Sequence, residues 1–494
     1  MKLMGTITKY YPFIGEETQR ILDTVMAKSS SYFDLVRQLS TTVLEDEVPN
    51  DLVYITTTLT WLIREQKLIN EITKKYGDLA CIRPWKTSSN SLLFTQRNEY
   101  QKIKEALDEL HNSSISDWMI VEQILNHIVT LQMPLESIRY LSLAEGMISQ
   151  ESNLKCFDPL VQLGYGHFSW FSGNSSNAAT HIQRGLELAR DYDDAVYEYF
   201  GLLLSANFKK QQNYREGLDI FEQAYSIVQN LDVPFFVAEI LNDSSTAYEI
   251  GGEYDLAISS QIQGMNSFDG DVGIEICYVI LSRLYANLGE GHHALEWADR
   301  ALNMSSYDYG HLVKARALVV LNRLEEAEKF LDIAYRKTLE TGYDIPLSRY
   351  HLTSGLFEMA RGELLAARGS LEQAYDIASQ IQGLLTLNEI LIALAQVELA
   401  LLKESESTDE AISGKWLKIL ETHARTYDLP GIAIQASMIR SERFQIQGQL
   451  KDAHETLQQA LKISESPGVN TLRKRISIRI SEIKRLMHDE ELAS

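Results

Sequence analysis

Apolar residues recur at i, i+3, i+4 and i+7 from about residue 16 to the end of the chain, and the strict alternation of strands is almost absent. Only 9 prolines and 27 glycines punctuate 494 residues, so long helices are rarely interrupted. The pattern predicts an all-α chain. Its N-terminal part reads as three helices: EETQRILDTVMAK (16–28), SYFDLVRQLSTTVLEDE (31–47) and DLVYITTTLTWLIREQKLINEITKKYG (51–77). Asp51 is expected as an N-cap after Pro49, and Gly77 as the closing residue of the third helix. CIRPWKTSSNSLL (81–93) reads as a loop before a charged helix at about 95–111, and Trp61 and Trp85 as core residues. Residues 1–115 thus form a helical module of no recognised family.

Downstream, small residues return in pairs seven apart: Ala178 and Gly185, Gly217 and Ala224, Ala257 and Gly264, Ala294 and Ala301, Ala327 and Ala334, Ala367 and Ala374, Ala453 and Ala460. Positions seven apart share a helix face two turns apart, so each pair makes a flat strip on which a second helix can pack closely. Twelve residues before each first member stands another small residue: Gly166, Ser205, Ser245, Ser282, Ala315, Gly355 and Ser441. Five residues before it stand Gly173, Gln212, Gly252, Gly289, Asn322, Gly362 and Gly448. Six of those seven are Gly or Asn, as a chain reversal at positive φ requires. The repeating element is a helical hairpin with a tight turn.

This pattern resembles the tetratricopeptide repeat, a helix pair with small residues at its eighth, twentieth and twenty-seventh positions and an aromatic or apolar residue at the eleventh. The eleventh slot here holds Phe208, Tyr248, Tyr285, Leu318 and Phe444, while Ser169 and Glu358 depart. Successive anchors lie 39, 40, 37, 33 and 40 residues apart, resembling the longer-helix, roughly 40-residue variety. The resemblance implies an α-solenoid of antiparallel hairpins, a right-handed superhelix of about nine hairpins over 116–469. The first hairpin, 116–150, is degenerate because Leu125 replaces a small residue. The eighth pairs a helix holding Ala395 with one holding Ser413 across the polar run KESESTDE (403–410), with Leu420 in place of the second small residue. A helix at about 470–487 caps the array, and its Arg473, Lys474, Arg475, Arg479, Lys484 and Arg485 suit a solvated face.

Charge narrows the partners. With 46 basic and 68 acidic residues the net charge is −22, which disfavours nucleic acid and is read as solvated outer faces. The three cysteines, Cys81, Cys156 and Cys277, are unpaired in spacing and point to a reducing, cytoplasmic setting. The N-terminus lacks the apolar core of a signal peptide, and no window is expected to approach the apolar length of a membrane helix. Phosphate-binding, zinc-protease and nucleophile-elbow motifs are absent, so neither an enzyme nor a cofactor is expected. GYGHF (164–168) reads as close packing, and FDGDVG (268–273) has too few oxygen ligands for calcium. His292 and His293 fall at an exposed helix start about 100° apart, which argues against a metal site.

The resemblance also implies a concave groove built from the first helix of each hairpin, with a protein or peptide partner. Its positions fall here on His167, Trp170, Tyr199, Lys209, Glu239, Asn242, Glu249, Arg283, Tyr309, Arg316 and Arg349. Arg283 and Arg316 occupy one slot in consecutive hairpins and, with Arg349, make a basic strip suited to a carboxylate or phosphate-bearing peptide. The alternative is that these arginines balance neighbouring acids within the array. The family's clamp for acidic chaperone tails is not reproduced, since Leu202, Asp243 and Ile280 stand at its slots. The expected function is a non-catalytic interaction scaffold or adaptor. The second possibility is a sensor whose array receives a ligand and repositions residues 1–115. Self-association is left open.

Overall fold

The computed structural model describes residues 4–82, 85, 105, 108, 115–131, 137–268, 274–304, 309–341, 344–380, 383–404, 414–465 and 468–493. Most of the expected 81–93 loop, of the helix at 95–111, of the polar run 403–410 and of FDGDVG, and Ser413, lie outside them. Among the described residues there are helices and no strands. The chain forms two compact units: Met1–Lys209, Glu216–Ile240 and Asn266–Gly273 in one, Lys210–Arg215, Leu241–Met265 and Ile274–Ser494 in the other.

In the first unit, helices Met4–Thr8, Glu16–Lys28, Tyr32–Glu45, Asn50–Leu62 and Gln66–Tyr76 precede three hairpins. These pair Asp117–Leu131 with Ser137–Gln150, Asp158–Phe171 with Ser175–Asp191, and Ala195–Lys210 with Tyr214–Leu231. Two expectations are corrected here. The helix expected over 51–77 is two, broken where Arg64 takes φ 61°. Asp51 does not cap, since Asn50 is already helical and Pro49 holds the cap position. Its carboxylate instead accepts the Gly15 N–H (3.3 Å) and the Thr18 hydroxyl (2.7 Å), fixing the start of the Glu16–Lys28 helix. Gly77 closes the second of the two helices, Gln66–Tyr76, as its C-cap residue at φ −66°. Every residue from Leu52 to Leu62 is buried, four threonines among them. Thr57 and Thr60 tolerate this because their hydroxyls donate to Val53 O (2.7 Å) and Thr56 O (2.6 Å) one turn back.

Besides Lys210–Arg215, the second unit takes up the chain at Leu241, within helix Pro234–Gly251, which pairs with Tyr254–Ser267. There follow Ile274–Asn287 with Gly291–Met304, Tyr309–Val320 with Leu324–Thr341, and Asp344–Ala360 with Leu364–Gln380. Leu384–Glu404 with Lys415–Thr426 is the degenerate pair, and Pro430–Ile446 with Leu450–Ile463 the last. The closing helix, Asn470–Ala493, runs six residues past its expected end. The fold is an α-solenoid of antiparallel helix pairs with an N-terminal helical module.

The small residues do what their spacing requires. Ser245, Ser282 and Ser441 donate their hydroxyls to the carbonyls of Ala257, Ala294 and Ala453, each twelve residues on, at 2.8, 2.8 and 3.0 Å. At the same slot a Cβ on Gly166 would stand 2.6 Å from Ile182, and one on Gly355 2.6 Å from Leu371. Gly173, Gly252, Gly289, Asn322, Gly362 and Gly448 all take φ between 57° and 79°, closing the first helix of six of the pairs. Three reversals between successive hairpins use Asp193, Asp232 and Asp428 at φ 50–57°, where aspartate stands in place of glycine.

Within the second unit the last elements pack on the first ones. Leu284 and Leu288 share one core with Ile434, Leu457, Ile476 and Ile483. Asp255 accepts the Thr471 hydroxyl at 2.6 Å and its N–H at 3.1 Å, and donates its own N–H to Gly468 O at 3.1 Å. Leu384–Glu404 corrects one further expectation. By length and mean hydropathy, 1.7, it could cross a membrane, yet 78% of that window is buried within the protein. Asn388, Glu389 and Glu398 stand among its buried residues.

Candidate peptide-binding surface

In the first unit the first-helix positions are largely covered. His167 is 3% exposed, and burial drives its imidazole down to about 4, so it is neutral at physiological pH. Its ring lies 4.7 Å from Phe171, and Trp170 meets Phe208 edge-on at 5.9 Å. Tyr199 is fully buried, stacked on Phe236 at 4.4 Å, and its hydroxyl donates to Glu239. Lys209 is the more open member, 3.6 Å from Glu216.

The N-terminal module also reaches the first helices of this unit. The Arg64 guanidinium sits 4.2 Å from the Trp61 ring and 5.7 Å from that of Phe235. Burial pulls its pKa down to about 10 against the opposing pull of Glu239 and Tyr199. The Lys9 ammonium lies 2.8 Å from Asp194 and 3.7 Å from the centre of the Tyr197 ring, and the Thr6 hydroxyl donates to the same carboxylate at 3.0 Å. Asp194 is itself an N-cap, accepting the N–H groups of Val196 and Tyr197. Neither Arg64 nor Lys9 carried a sequence signal. Asp194 did, as an acid one residue before a helix start.

Tyr10 completes the contact by donating to Glu122 at 2.6 Å. Glu122 is fully buried, and burial raises its pKa to about 6 although Lys9 and Tyr10 pull the other way. A carboxyl with a raised folded pKa contributes stability below its ordinary value that is lost as pH rises through about 6. Glu122→Gln removes that dependence. The stability of the variant relative to the parent is therefore expected to rise by about 2 kcal/mol between pH 4 and pH 8. Amide exchange along Ala195–Lys210 measures it, and a difference independent of pH would refute the assignment.

In the second unit Arg283 and Arg316 join one polar network, and Arg349 of the next hairpin lies beside it. Arg283 is buried and grips Glu249 with both arms, Nε to Oε1 at 3.0 Å and Nη2 to Oε2 at 2.6 Å. Burial works against its charge, but Glu249 more than offsets this and its pKa is raised. Arg316 donates to both oxygens of Glu389 at 3.2 Å and to Asn287 Oδ1 at 2.6 Å, and Asn287 in turn donates to Glu389 at 2.7 Å. Against the opposing effect of burial, Arg316 and then Arg283 hold the Glu389 carboxyl below the usual carboxylate range. Arg349 is held more loosely, 3.5 Å from the Thr386 hydroxyl and 5.0 Å from the Tyr309 ring. Asn242 accepts from Gln261 at 3.0 Å.

Glu389 and Asn388 both come from Leu384–Glu404. Asn388 donates to Ile250 O at 2.9 Å while its own Oδ1 lies 2.7 Å from His423 Nε2. The strip therefore already holds carboxylates supplied by this chain. Lone acids in an apolar helical run, as in LLTLNEILIAL, are the sequence signal that could have found them. His292 and His293 are exposed, with His293 Nδ1 3.0 Å from Glu290, and no three His, Cys, Asp or Glu side chains converge as metal ligands among the described residues.

No family model matches the sequence, and no curated protein matches it. Solved structures do resemble it in fold. A Rap protein complexed with Competence and Sporulation Factor aligns over 67% of this chain and 99% of its own, at 12% identity and a TM-score of 0.44. The apo form of the quorum sensor NprR from B. thuringiensis covers 69% and 97%, at 14% identity and a TM-score of 0.43. Yeast Tom70 covers 92% and 93%, at 11% identity and a TM-score of 0.37. At these levels the likeness concerns the fold alone, which the hairpin geometry of this chain establishes independently.

Proposed function

We propose that this chain is a non-catalytic, cytoplasmic protein–protein interaction scaffold that holds a peptide or helical segment on the first helices of its array. Residues 1–115 serve as the module, 116–469 as the array and 470–494 as the cap. One observation carries this reading: the first-helix surface of the second unit already holds Leu384–Glu404 through Arg316, Asn287 and the Glu389 carboxylate. Apolar packing plus arginine–carboxylate pairing is the chemistry a partner helix would use. The net charge of −22 disfavours nucleic acid.

A sensor is the second reading. It is favoured by the way Lys9 and Arg64 of the N-terminal module reach first-helix residues in the first unit, so that a ligand there would compete with the module.

Arg283 and Arg316 are poor probes, because reversing a buried, paired charge would report on folding. Arg349 is the more open member of the strip. Affinity capture with the full chain from its native cell is expected to return a protein partner in stoichiometric amount, and Arg349→Glu to reduce it severalfold without changing the melting temperature. Capture of no protein, or a yield untouched by the substitution, would overturn the groove reading. Under the sensor reading the bound partner also alters amide exchange over 16–76.

A further inference from the structure

An open groove of about 700 Å³ lies in the second unit among helices Lys415–Thr426, Pro430–Ile446 and Leu450–Ile463. That is the size of a pocket that takes a small ligand or a few residues of peptide. Its middle helix contributes Ala433, Ala436 and Ser437, leaving the depth open, and its flanking helices end in Arg425 and Lys462. Two other cations on the rim are already engaged, Arg440 by Glu421 and Arg215 by Asp428 at 3.7 Å. Arg425 and Lys462 make no ion pair among the described residues, and both are exposed, so a ligand reaches them without first breaking an internal bond.

We propose that this groove is a docking site for a short acidic peptide segment of a protein partner, its carboxylates on Arg425 and Lys462 and its small side chains over Ala433 and Ala436. The inference rests on the scaffold reading and places one of its contacts outside the first-helix surface. Charge selects the occupant. The rim also carries Glu421, Asp428 and Glu465, which repel a dense polyanion such as nucleic acid. Sparse peptide carboxylates can instead meet the two open cations singly, with a strength that falls as salt screens them.

The test uses the full chain and a fluorescein-labelled (Glu-Ala)4 peptide, followed by anisotropy at low ionic strength. Saturable binding is expected, weakened at least tenfold by Arg425→Glu combined with Lys462→Glu. It should stay within twofold of wild type in Arg473→Glu combined with Lys474→Glu, which makes the same charge change on the closing helix. Unaltered melting curves confirm that these exposed substitutions leave the fold intact. Absence of saturable binding overturns the proposal, as does an equal loss in the control variant. A partner still captured by the chain when the peptide fails to bind would remove this groove and leave the scaffold standing. Site-specific peptide binding with no captured partner would do the reverse.

Discussion

Arg283→Ala is expected to cost the second unit about 3–5 kcal/mol, the loss that follows when one member of a buried ion pair is removed. The Glu249 carboxylate, 1% exposed, loses both arms of its partner and, among the described residues, keeps only the Asn287 amide at 3.1 Å. Replacing both members, Arg283→Met with Glu249→Met, should recover most of that cost, because nothing is then left charged in the interior. A chain of two units need not unfold in one step, so amide exchange along Pro234–Gly251 and Ile274–Asn287 is the measurement. A loss under about 1 kcal/mol in the single variant would show that water reaches Glu249 and that the network is a surface one. The same variant should move acid unfolding to higher pH. Glu389 has a depressed pKa partly through Arg283, so its contribution is present above the ordinary carboxylate value and fades as pH falls. Without Arg283 the depression shrinks, so that contribution is smaller and its loss is complete at a higher pH.

That network also shows where sequence reasoning reaches and where it stops. The helix pairs were legible because their contacts recur at fixed short spacings: Ser282 meets Ala294 twelve residues on, and Ala294 and Ala301 share one face. Arg283 and Arg316 were legible as one slot in consecutive hairpins for the same reason, with Arg349 placed beside them in the next. Their partners were not. Glu389 lies 73 residues from Arg316 and 102 from Asn287, a separation set by how far the second unit curls and not by any local pattern. Arg64 was hidden for another reason, since neither φ 61° at an arginine nor its place beside Phe235 follows from a helical periodicity that continues on both sides of it. The threonine-rich helix Asn50–Leu62 was found, but the burial of Leu52–Leu62 was not, because hydroxyls that bond one turn back, as at Thr57 and Thr60, behave as apolar surface.

Glycines divide the same way, and Gly431→Ala is the sharpest case. Gly252 was read as a turn residue, and its φ of 74° fits that role. Nothing in the sequence said that Gly431, at the start of Pro430–Ile446, would meet it backbone to backbone. A Cβ on Gly431 would stand 2.2 Å from Gly252 O and 2.6 Å from Gly252 Cα, positions no side-chain rotation can relieve. The two segments must separate, at about 3 kcal/mol, the upper end of ordinary overpacking. Alanine's better helix propensity opposes this by at most about 1 kcal/mol, so the net sign discriminates. Gly448→Ala isolates the other effect: its φ is 75° but nothing lies within 4 Å of its Cβ position, so only the left-handed backbone is strained, at about 1–2 kcal/mol. Gly252→Ala combines strain and contact and should exceed both. The readout is local, because parting Gly252 from Gly431 loosens the adjoining seam, where the Asp255 N–H donates to Gly468 O and the Thr471 N–H to Asp255. Amides 255 and 471 are expected to lose protection in Gly431→Ala and keep it in Gly448→Ala. Full protection at both in Gly431→Ala would mean that the last hairpin does not close on the Gly252 turn.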